Sequence, residues 1–246
     1  MSSVPAGGGD HIDEAQLRRD AASVGHPLAR ALLVLTFTTG LVDAASYLGL
    51  GRVFTANMTG NVVLLGFGIA GASGLPVLAP LISLAAFVVG AGAGGIMIRR
   101  VHARHTTIVV GALGVEAAMI ATAAILAAVL NVHTKSASAY VIIALLACAL
   151  GFRNAVVKRV GVADLTTTVL TMTLTGLASE SALIGGPGHG SLRRLAAVLA
   201  MLIGAVAGAL LLEVSLALPL ALAAAMAVAT GSLYLPAARR LTSRGQ

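Results

Sequence analysis

Long apolar runs dominate the chain and predict membrane-spanning helices. A helix needs about 20 apolar residues to cross a bilayer. Runs of roughly this length cover residues 31–50, 76–98, 106–130, 139–157, 195–212 and 214–235. Two further apolar runs, near 57–71 and 166–184, are shorter or more polar. The pattern therefore predicts an all-α integral membrane protein with six full transmembrane helices and two broken or re-entrant helices.

The composition supports a membrane protein and excludes several other classes. The chain is 58% hydrophobic and 10% charged, whereas soluble domains carry about 25% charged residues. Its net charge of +7 comes from Lys and Arg clusters between the apolar runs, which fits the positive-inside rule better than nucleic-acid binding. A single cysteine, Cys148, excludes an internal disulfide. The histidines lack metal-ligand spacing and no catalytic or cofactor motif is present, so we expect no metal, no cofactor and no enzyme.

The distribution of charge favours six crossings over eight. With six spans and a cytoplasmic N-terminus, 14 of the 16 Lys and Arg residues face the cytoplasm, and Arg52 and Lys135 remain outside. With eight spans the division becomes nine inside and seven outside. Because cytoplasmic loops carry the excess of Lys and Arg, we expect six spans with both termini cytoplasmic, and eight spans stay the alternative.

Three short motifs of the first half recur in the same order in the second half. The pairs are Gly40–Ala44 with Gly151–Ala155, Thr55–Thr59 with Thr167–Thr171, and Gly90–Gly94 with Gly204–Gly208, at offsets of 111, 112 and 114. An odd number of crossings in each half would invert the second copy, as in several transporter folds. We therefore predict a 3+3 inverted repeat. The predicted organisation is a flexible polar tail (1–28), a first membrane repeat (29–135), a second membrane repeat (136–238) and a basic cytoplasmic tail (239–246).

The stretch GLVDAASYLGLGRVFTANMTGNVVLLG, residues 40–66, resembles the signature of the YoaK-like bacterial membrane proteins, a family of unknown function. The resemblance extends over residues 29–238 and includes a second block at 151–155 and 164–171. The second block departs from the expected pattern, because Met172 follows Thr171 where a glycine is expected. The resemblance implies a multi-span protein of the bacterial inner membrane and supplies no activity.

Charged residues inside the apolar runs are the first candidates for function. Asp43 lies about 13 residues into the first run, where charge is costly and usually functional. It is either a protonatable coupling residue or cation ligand, or a carboxylate held for packing. Arg153 precedes Asn154, the repeat equivalent of Asp43, and is the predicted partner of Asp43; alternatively, it reaches the inner interface. Glu116 is a second coupling candidate, with a packing role as the alternative.

A polar cluster opens the first weak run. Thr55, Asn57, Thr59 and Asn61 suit a helix that begins in mid-membrane, because hydroxyl and amide groups can cap the free N–H groups of a first turn. Such an N-terminus can also face an anion or a polar solute. The alternative is ordinary hydrogen bonding between membrane helices. The predicted substrate-binding set is Asp43, Thr55, Asn57, Thr59, Asn61, Arg153, Asn154, Thr167 and Thr171.

These observations favour a secondary transporter or channel-like permease for a small polar solute or anion. Its site would lie at the repeat interface, with proton coupling through Asp43 as one mechanism. The alternative is a non-transporting scaffold or regulatory subunit that acts through small-residue helix faces. The expected partners are the lipid bilayer and a small polar solute or ion, and a homo-oligomer is compatible with the sequence.

Overall fold

The computed structural model describes residues 27–100, 105–160, 170–179 and 191–244. Within these ranges the chain forms eight helices and no strands, which confirms the all-α prediction. In chain order they are α1 (Pro27–Gly49), α2 (Met58–Ile69), α3 (Leu78–Arg100), α4 (His105–Val129), α5 (Ala137–Val160), α6 (Leu170–Ser179), α7 (Ser191–Leu212) and α8 (Ala217–Arg244).

Helix length separates six long helices from the short helix α2. α1, α3, α4, α5 and α7 are each long and apolar enough to cross a membrane. The apolar part of α8 covers Ala217–Leu233, and its helix continues through residues 239–244 of the predicted tail. α2 has 12 residues and rises about 18 Å, short of a hydrocarbon core of about 30 Å. The six long helices match the six strong apolar runs, and α2 matches the first weak one; of the second weak run, the structure describes residues 170–179.

The chain reverses direction directly after α1. Gly51 (φ 113°) and Arg52 (φ 57°) both adopt left-handed backbone conformations, which are uncommon for a residue other than glycine. The Arg52 Nη1 group donates to the Gly74 carbonyl at 3.4 Å, shortly before α3 begins. The end of α1 and the start of α3 therefore lie at the same end of the bundle. α2 leaves and returns at that end, so the first weak run does not cross the bundle.

Local hydrogen bonds define both ends of α2. At its start, the Asn57 side chain accepts a hydrogen bond from the Gly60 N–H at 3.1 Å, which is the capping role predicted for a polar residue here. At its end, Gly71 adopts φ 82° and the Ala72 N–H donates to the Phe67 carbonyl at 3.0 Å. This is the Schellman arrangement that ends helices. The two caps explain why α2 remains short.

The long helices pack mainly as pairs that join the first half of the chain to the second. α1 packs against α7, α3 against α5, and α4 against α8, while α4 also contacts α5 and α1 also contacts α8. The short helix α2 lies on α3, and α6 lies on α7. Buried residues of α1, α4, α5 and α8 form the central core, which includes Leu41, Ile120, Ile143, Leu146 and Leu220. The other two long helices, α3 and α7, are the most exposed and lie at the periphery.

Glycines allow two of these helix pairs to approach backbone to backbone. Gly90 of α3 faces the carbonyl of Cys148 on α5, and Gly204 of α7 faces the carbonyl of Phe37 on α1. A Cβ atom at either glycine would overlap the opposing backbone. Small residues are the usual solution for close helix packing in membranes, where hydrophobic burial does not drive association.

The same arrangement repeats one helical turn later in both pairs. A Cβ atom at Gly94 would lie 2.8 Å from the Phe152 carbonyl oxygen, and one at Gly208 would lie 2.8 Å from the Leu41 carbonyl oxygen. The two glycine motifs found in the sequence therefore pack against helices of the same chain.

We expect Gly90→Ala and Gly204→Ala to destabilise the folded protein by about 1–3 kcal/mol each, because the added methyl group overlaps backbone atoms that cannot move independently. Gly92→Ala is the matched control, since nothing lies within 4 Å of a Cβ atom at that position of α3. This change removes a flexible residue from a helix and should be neutral or slightly stabilising. Thermal unfolding of the purified proteins in detergent measures both effects. Equal melting temperatures for Gly90→Ala and Gly92→Ala would contradict the packing described here.

Candidate functional site

The Asp43 carboxylate holds the segment between α1 and α2 inside the bundle. Its Oδ1 atom accepts hydrogen bonds from the backbone N–H groups of Thr55 at 3.0 Å and Ala56 at 2.9 Å. The Thr55 hydroxyl lies 3.5 Å from the same oxygen. Asp43 and Thr55 are both buried. A carboxylate is a strong acceptor for backbone N–H groups, so this contact provides bonds that the non-helical segment cannot provide for itself.

The position of Asp43 fixes how deeply this segment returns into the bundle. Asp43 lies six residues before the end of α1, which corresponds to about 9 Å along the helix. Because Thr55 and Ala56 contact it, residues 53–57 run back alongside α1 by about that distance. α2 therefore begins below the end of the bundle, as the polar cluster in the sequence predicts.

Asn61 forms a second attachment of the same segment. Its side-chain amide donates to the Phe54 carbonyl at 2.6 Å and to the Ser83 hydroxyl at 3.1 Å, while its oxygen accepts from the Phe54 N–H at 2.9 Å. The Ser83 hydroxyl also donates to the Phe54 carbonyl at 2.7 Å. Asn61 and Ser83 are fully buried. These contacts tie the returning segment to α2 and α3, so Asn61 has a structural role that satisfies its whole amide group.

A cavity of about 550 Å³, the central cavity, opens beside Asp43. Thr39, Asp43 and Tyr47 line it from α1. These residues are spaced by four positions and therefore lie along one face of the helix. Its volume lies within the usual range of about 300–1,000 Å³ for small-molecule sites. The cavity has enough room for a small organic solute at the depth of a membrane-spanning helix.

The two short helices border the central cavity from different directions. Asn57, Thr59 and Gly60 line it from the start of α2, and Leu170 and Thr171 line it from the start of α6 as described. Thr59 and Thr171 are the equivalent positions of the motif pair found in the sequence. The structure thus brings both members of that pair to one cavity.

A buried ion pair lies next to the cavity on its α5 side. Arg153 Nη1 is 2.7 Å from Glu116 Oε1, and both side chains are almost completely buried. Arg153 Nη2 donates to the Thr39 hydroxyl at 2.6 Å, and Thr39 lines the central cavity. Thr39 therefore lies between the ion pair and the cavity: its hydroxyl bonds to Arg153, and the residue forms part of the cavity lining.

The predicted pairing of Arg153 with Asp43 is wrong. The ion pair of Arg153 is with Glu116 on α4, and among the described residues Asp43 forms no ion pair. The alternative that Arg153 reaches the inner interface is also wrong, because its side chain is 2% exposed. The repeat pairs Asp43 with Asn154, the residue next to Arg153, and therefore suggested a contact between Arg153 and Asp43. In the structure, α4 packs against α5 and brings the Glu116 carboxylate to Arg153 instead.

The remaining predicted site residues divide into three groups. Asp43, Asn57, Thr59 and Thr171 line the central cavity. Thr55, Asn61, Arg153 and Glu116 are buried behind it in the hydrogen bonds and ion pair described above, and half-buried Asn154 of α5 does not line it. Thr167 lies outside the described residues.

A smaller pocket of about 270 Å³, the terminal pocket, lies where α1 ends. Its lining includes Tyr47, Arg52, Lys135 and Tyr140. Lys135 has φ 70°. Arg52 and Lys135 therefore both have left-handed backbone conformations. Tyr47 also lines the central cavity and stacks on Phe54 with ring centroids 4.8 Å apart. The Tyr47–Phe54 pair therefore lies between the two spaces.

Arg193 and Arg194, which the charge distribution assigns to the cytoplasmic side, are buried at the start of α7. Arg194 Nη1 donates to the Gly176 carbonyl of α6 at 2.9 Å. This hydrogen bond attaches α6 to α7.

Sequence reasoning missed several residues of the cavity. Thr39 and Tyr47 share a helix face with Asp43, and the four-residue spacing could have identified them. Phe54 and Met201 carried no comparable signal, because their positions in the lining depend on the returning segment and on the packing of α7.

We expect Glu116→Gln to destabilise the protein by about 3–5 kcal/mol, because it leaves the Arg153 guanidinium buried without a counter-charge. The double variant Glu116→Gln with Arg153→Met removes both charges and should recover much of that loss. Thermal unfolding in detergent measures this comparison. A double variant that is less stable than Glu116→Gln alone would show that the ion pair is not the source of the effect.

Comparison with known proteins places the chain in a family. Residues 31–233 match the family model described as protein of unknown function (DUF1275). The chain is 33% identical over 150 residues to the UPF0700 transmembrane protein YoaK of Bacillus subtilis (strain 168). That alignment covers 61% of this chain and 65% of the relative, so the chain spans slightly less than two thirds of the relative's length. No solved structure matches. The resemblance found in residues 40–66 is confirmed, and this multi-pass membrane protein belongs to the DUF1275 family.

Proposed function

We propose that this protein is a permease of the bacterial inner membrane that carries a small polar solute through the central cavity. The observation that carries the proposal is a cavity of about 550 Å³ bordered by the start of α2, which is too short to cross a bilayer, and by Leu170 and Thr171 of α6. Transporters commonly place their substrate sites where interrupted helices meet near the bilayer midplane. Non-helical backbone at that depth is tolerated where it is buried in protein or lines a water-filled cavity.

An inverted repeat supports this function. Under a two-fold relation that exchanges α1–α4 with α5–α8, the pair α1·α7 becomes α5·α3, and α2·α3 becomes α6·α7. Both members of each exchange are contacts of this structure. The glycine contacts follow the same relation, since Gly90 faces Cys148 and Gly204 faces Phe37. If each half crosses the membrane an odd number of times, the second half has the opposite orientation to the first. We propose this inverted architecture for the protein.

The distribution of charge supports cytoplasmic termini. Arg52 and Lys135 line the terminal pocket at one end of the bundle, while Arg99, Arg100 and Lys158 lie near the ends of α3 and α5. The positive-inside rule assigns the Arg-rich end to the cytoplasm. The terminal pocket then faces outward and is the external route toward the central cavity.

The packing of the glycine motifs favours a permease over a scaffold. The scaffold alternative required small-residue helix faces that are available to a partner protein. Gly90, Gly94, Gly204 and Gly208 are buried against helices of the same chain. These faces are therefore already occupied, whereas the central cavity is open and carries the Asp43 carboxylate in its lining.

Asp43 is the candidate for coupling transport to protons. It lines the cavity, and protonation would weaken its hold on the Thr55 and Ala56 N–H groups because a neutral carboxyl group is a weaker acceptor. A change of charge at Asp43 would thus act directly on the segment that shapes the cavity. Glu116 is neutralised by Arg153, and we propose that this pair positions Thr39.

Cysteine accessibility tests the proposed topology. In a Cys148→Ala background, Ser73→Cys and Thr134→Cys should react with an impermeant maleimide added outside intact cells, and Lys158→Cys should react only after the membrane is opened. All three positions are exposed. Ser73→Cys would be labelled from the cytoplasmic side in the eight-span alternative. That result would also contradict the Arg52–Gly74 contact.

Solute flux tests the permease. Proteoliposomes that contain the wild-type protein should take up at least one small polar solute faster than protein-free vesicles, as measured by osmotic swelling. Thr59→Trp should reduce this flux at least tenfold, because Thr59 lines the cavity and indole would fill it. Val62→Trp is the matched control, since Val62 is 58% exposed on the same helix and does not line the cavity. Equal flux for the two variants, or no flux above empty vesicles with any solute, would reject the permease.

A further inference from the structure

The central cavity presents an acceptor group that no described residue occupies. Asp43 is 5% exposed and lines the cavity. All of its hydrogen bonds in the described structure go to Oδ1, and Oδ2 accepts none. Because Asp43 lines the cavity and no described residue donates to Oδ2, this charged oxygen is available to a ligand group that carries positive charge and N–H or polarised C–H donors.

The start of α2 presents donor groups to the same cavity. The Gly60 N–H donates to the Asn57 side chain, and the Asn61 N–H donates to the Asn57 carbonyl. The Thr59 N–H makes no hydrogen bond to the described residues, and Thr59 lines the cavity. Because a helix N-terminus carries partial positive charge and binds carboxylates through such free N–H groups, this wall favours an anionic group.

Together the two walls select against ligands of a single charge. A simple anion would be repelled by Asp43, and a simple cation would leave the Thr59 N–H at the start of α2 unsatisfied. Arg153 does not line the cavity and is paired with Glu116 at 2.7 Å. A ligand with one group of each sign satisfies both walls at once.

The rest of the lining adds a preference for the positive group. The stacked rings of Tyr47 and Phe54 border the cavity beside Asp43, and aromatic faces attract ammonium groups, including quaternary ones. Val63, Leu64 and Met201 supply an apolar wall that suits a short hydrocarbon portion of a solute.

We infer that the central cavity binds a small zwitterion that carries an ammonium group and a carboxylate, of the amino acid or betaine class. The ammonium group contacts Asp43 Oδ2 and the Tyr47–Phe54 rings, and the carboxylate contacts the first turn of α2. The identification of this zwitterion as a transported solute rests on the proposed function, but its binding can be measured without transport.

Thermal stabilisation of the purified full-length protein by matched compounds tests the inference, because a ligand that binds the folded state raises its apparent stability. The first series is L-valine, 3-methylbutanoate, which lacks the amino group, and isobutylamine, which lacks the carboxylate. The second series is glycine betaine, 3,3-dimethylbutyrate and choline. In at least one series the zwitterion should bind at least tenfold more tightly than both of its single-charge analogues.

Two variants connect this selectivity to the named groups. Asp43→Asn keeps an oxygen for the Thr55 and Ala56 N–H groups and removes the charge, so zwitterion affinity should fall at least tenfold and the advantage over the carboxylate-only analogue should disappear. If this variant does not fold, Thr59→Trp should abolish zwitterion binding while Val62→Trp retains it.

The outcomes separate this inference from the permease. Stabilisation by the carboxylate-only compound as strong as by the zwitterion overturns the inference, and so does flux of another solute class without zwitterion binding. Zwitterion binding with no solute flux in proteoliposomes supports the inference and rejects the permease. Unchanged zwitterion affinity in Asp43→Asn also overturns it, because the positive group would then lie elsewhere.

Discussion

The hydrogen bonds from the Thr55 and Ala56 N–H groups to Asp43 are the contact on which the rest of the arrangement depends. The hydrocarbon core of a bilayer contains no water to solvate free backbone groups, so non-helical chain at that depth must find its partners inside the protein. A carboxylate can accept several such bonds and accepts them more strongly than a neutral group. Without it the chain could not return along α1, α2 would have no start within the bundle, and the central cavity would lose one of its walls.

The sequence predicts the elements of this fold well because the relevant signals are local. The length of an apolar run determines whether a helix can span a bilayer, which separates the six long helices from α2. Asn57 was identified as a cap because capping involves residues only three positions apart. The motif Gly90-x-x-x-Gly94 indicated close helix contact, although the identity of its partner, α5, required the structure.

The sequence predicts the candidate site less well because side-chain partners are set by the register between helices. Arg153 could have paired with Asp43 or Glu116, and the rotation of α4 against α5 decides for Glu116. Asn61 was predicted to face a solute, but the returning segment presents the Phe54 backbone to it instead. The positive-inside rule assigns Arg193 and Arg194 to a side of the membrane and contains no information on their burial by neighbouring helices, which the structure shows.

The pairing of α1 with α7 and of α3 with α5 has a consequence for biosynthesis. The first residue of α7 is translated about 140 residues after the last residue of α1, which takes roughly 7 to 30 seconds at about 5–20 residues per second. During that interval the segments of α1 around Phe37 and Leu41 lack the glycines that face them in the folded protein. The order of synthesis therefore delays the closest helix contacts of the fold until the second half of the chain has been made.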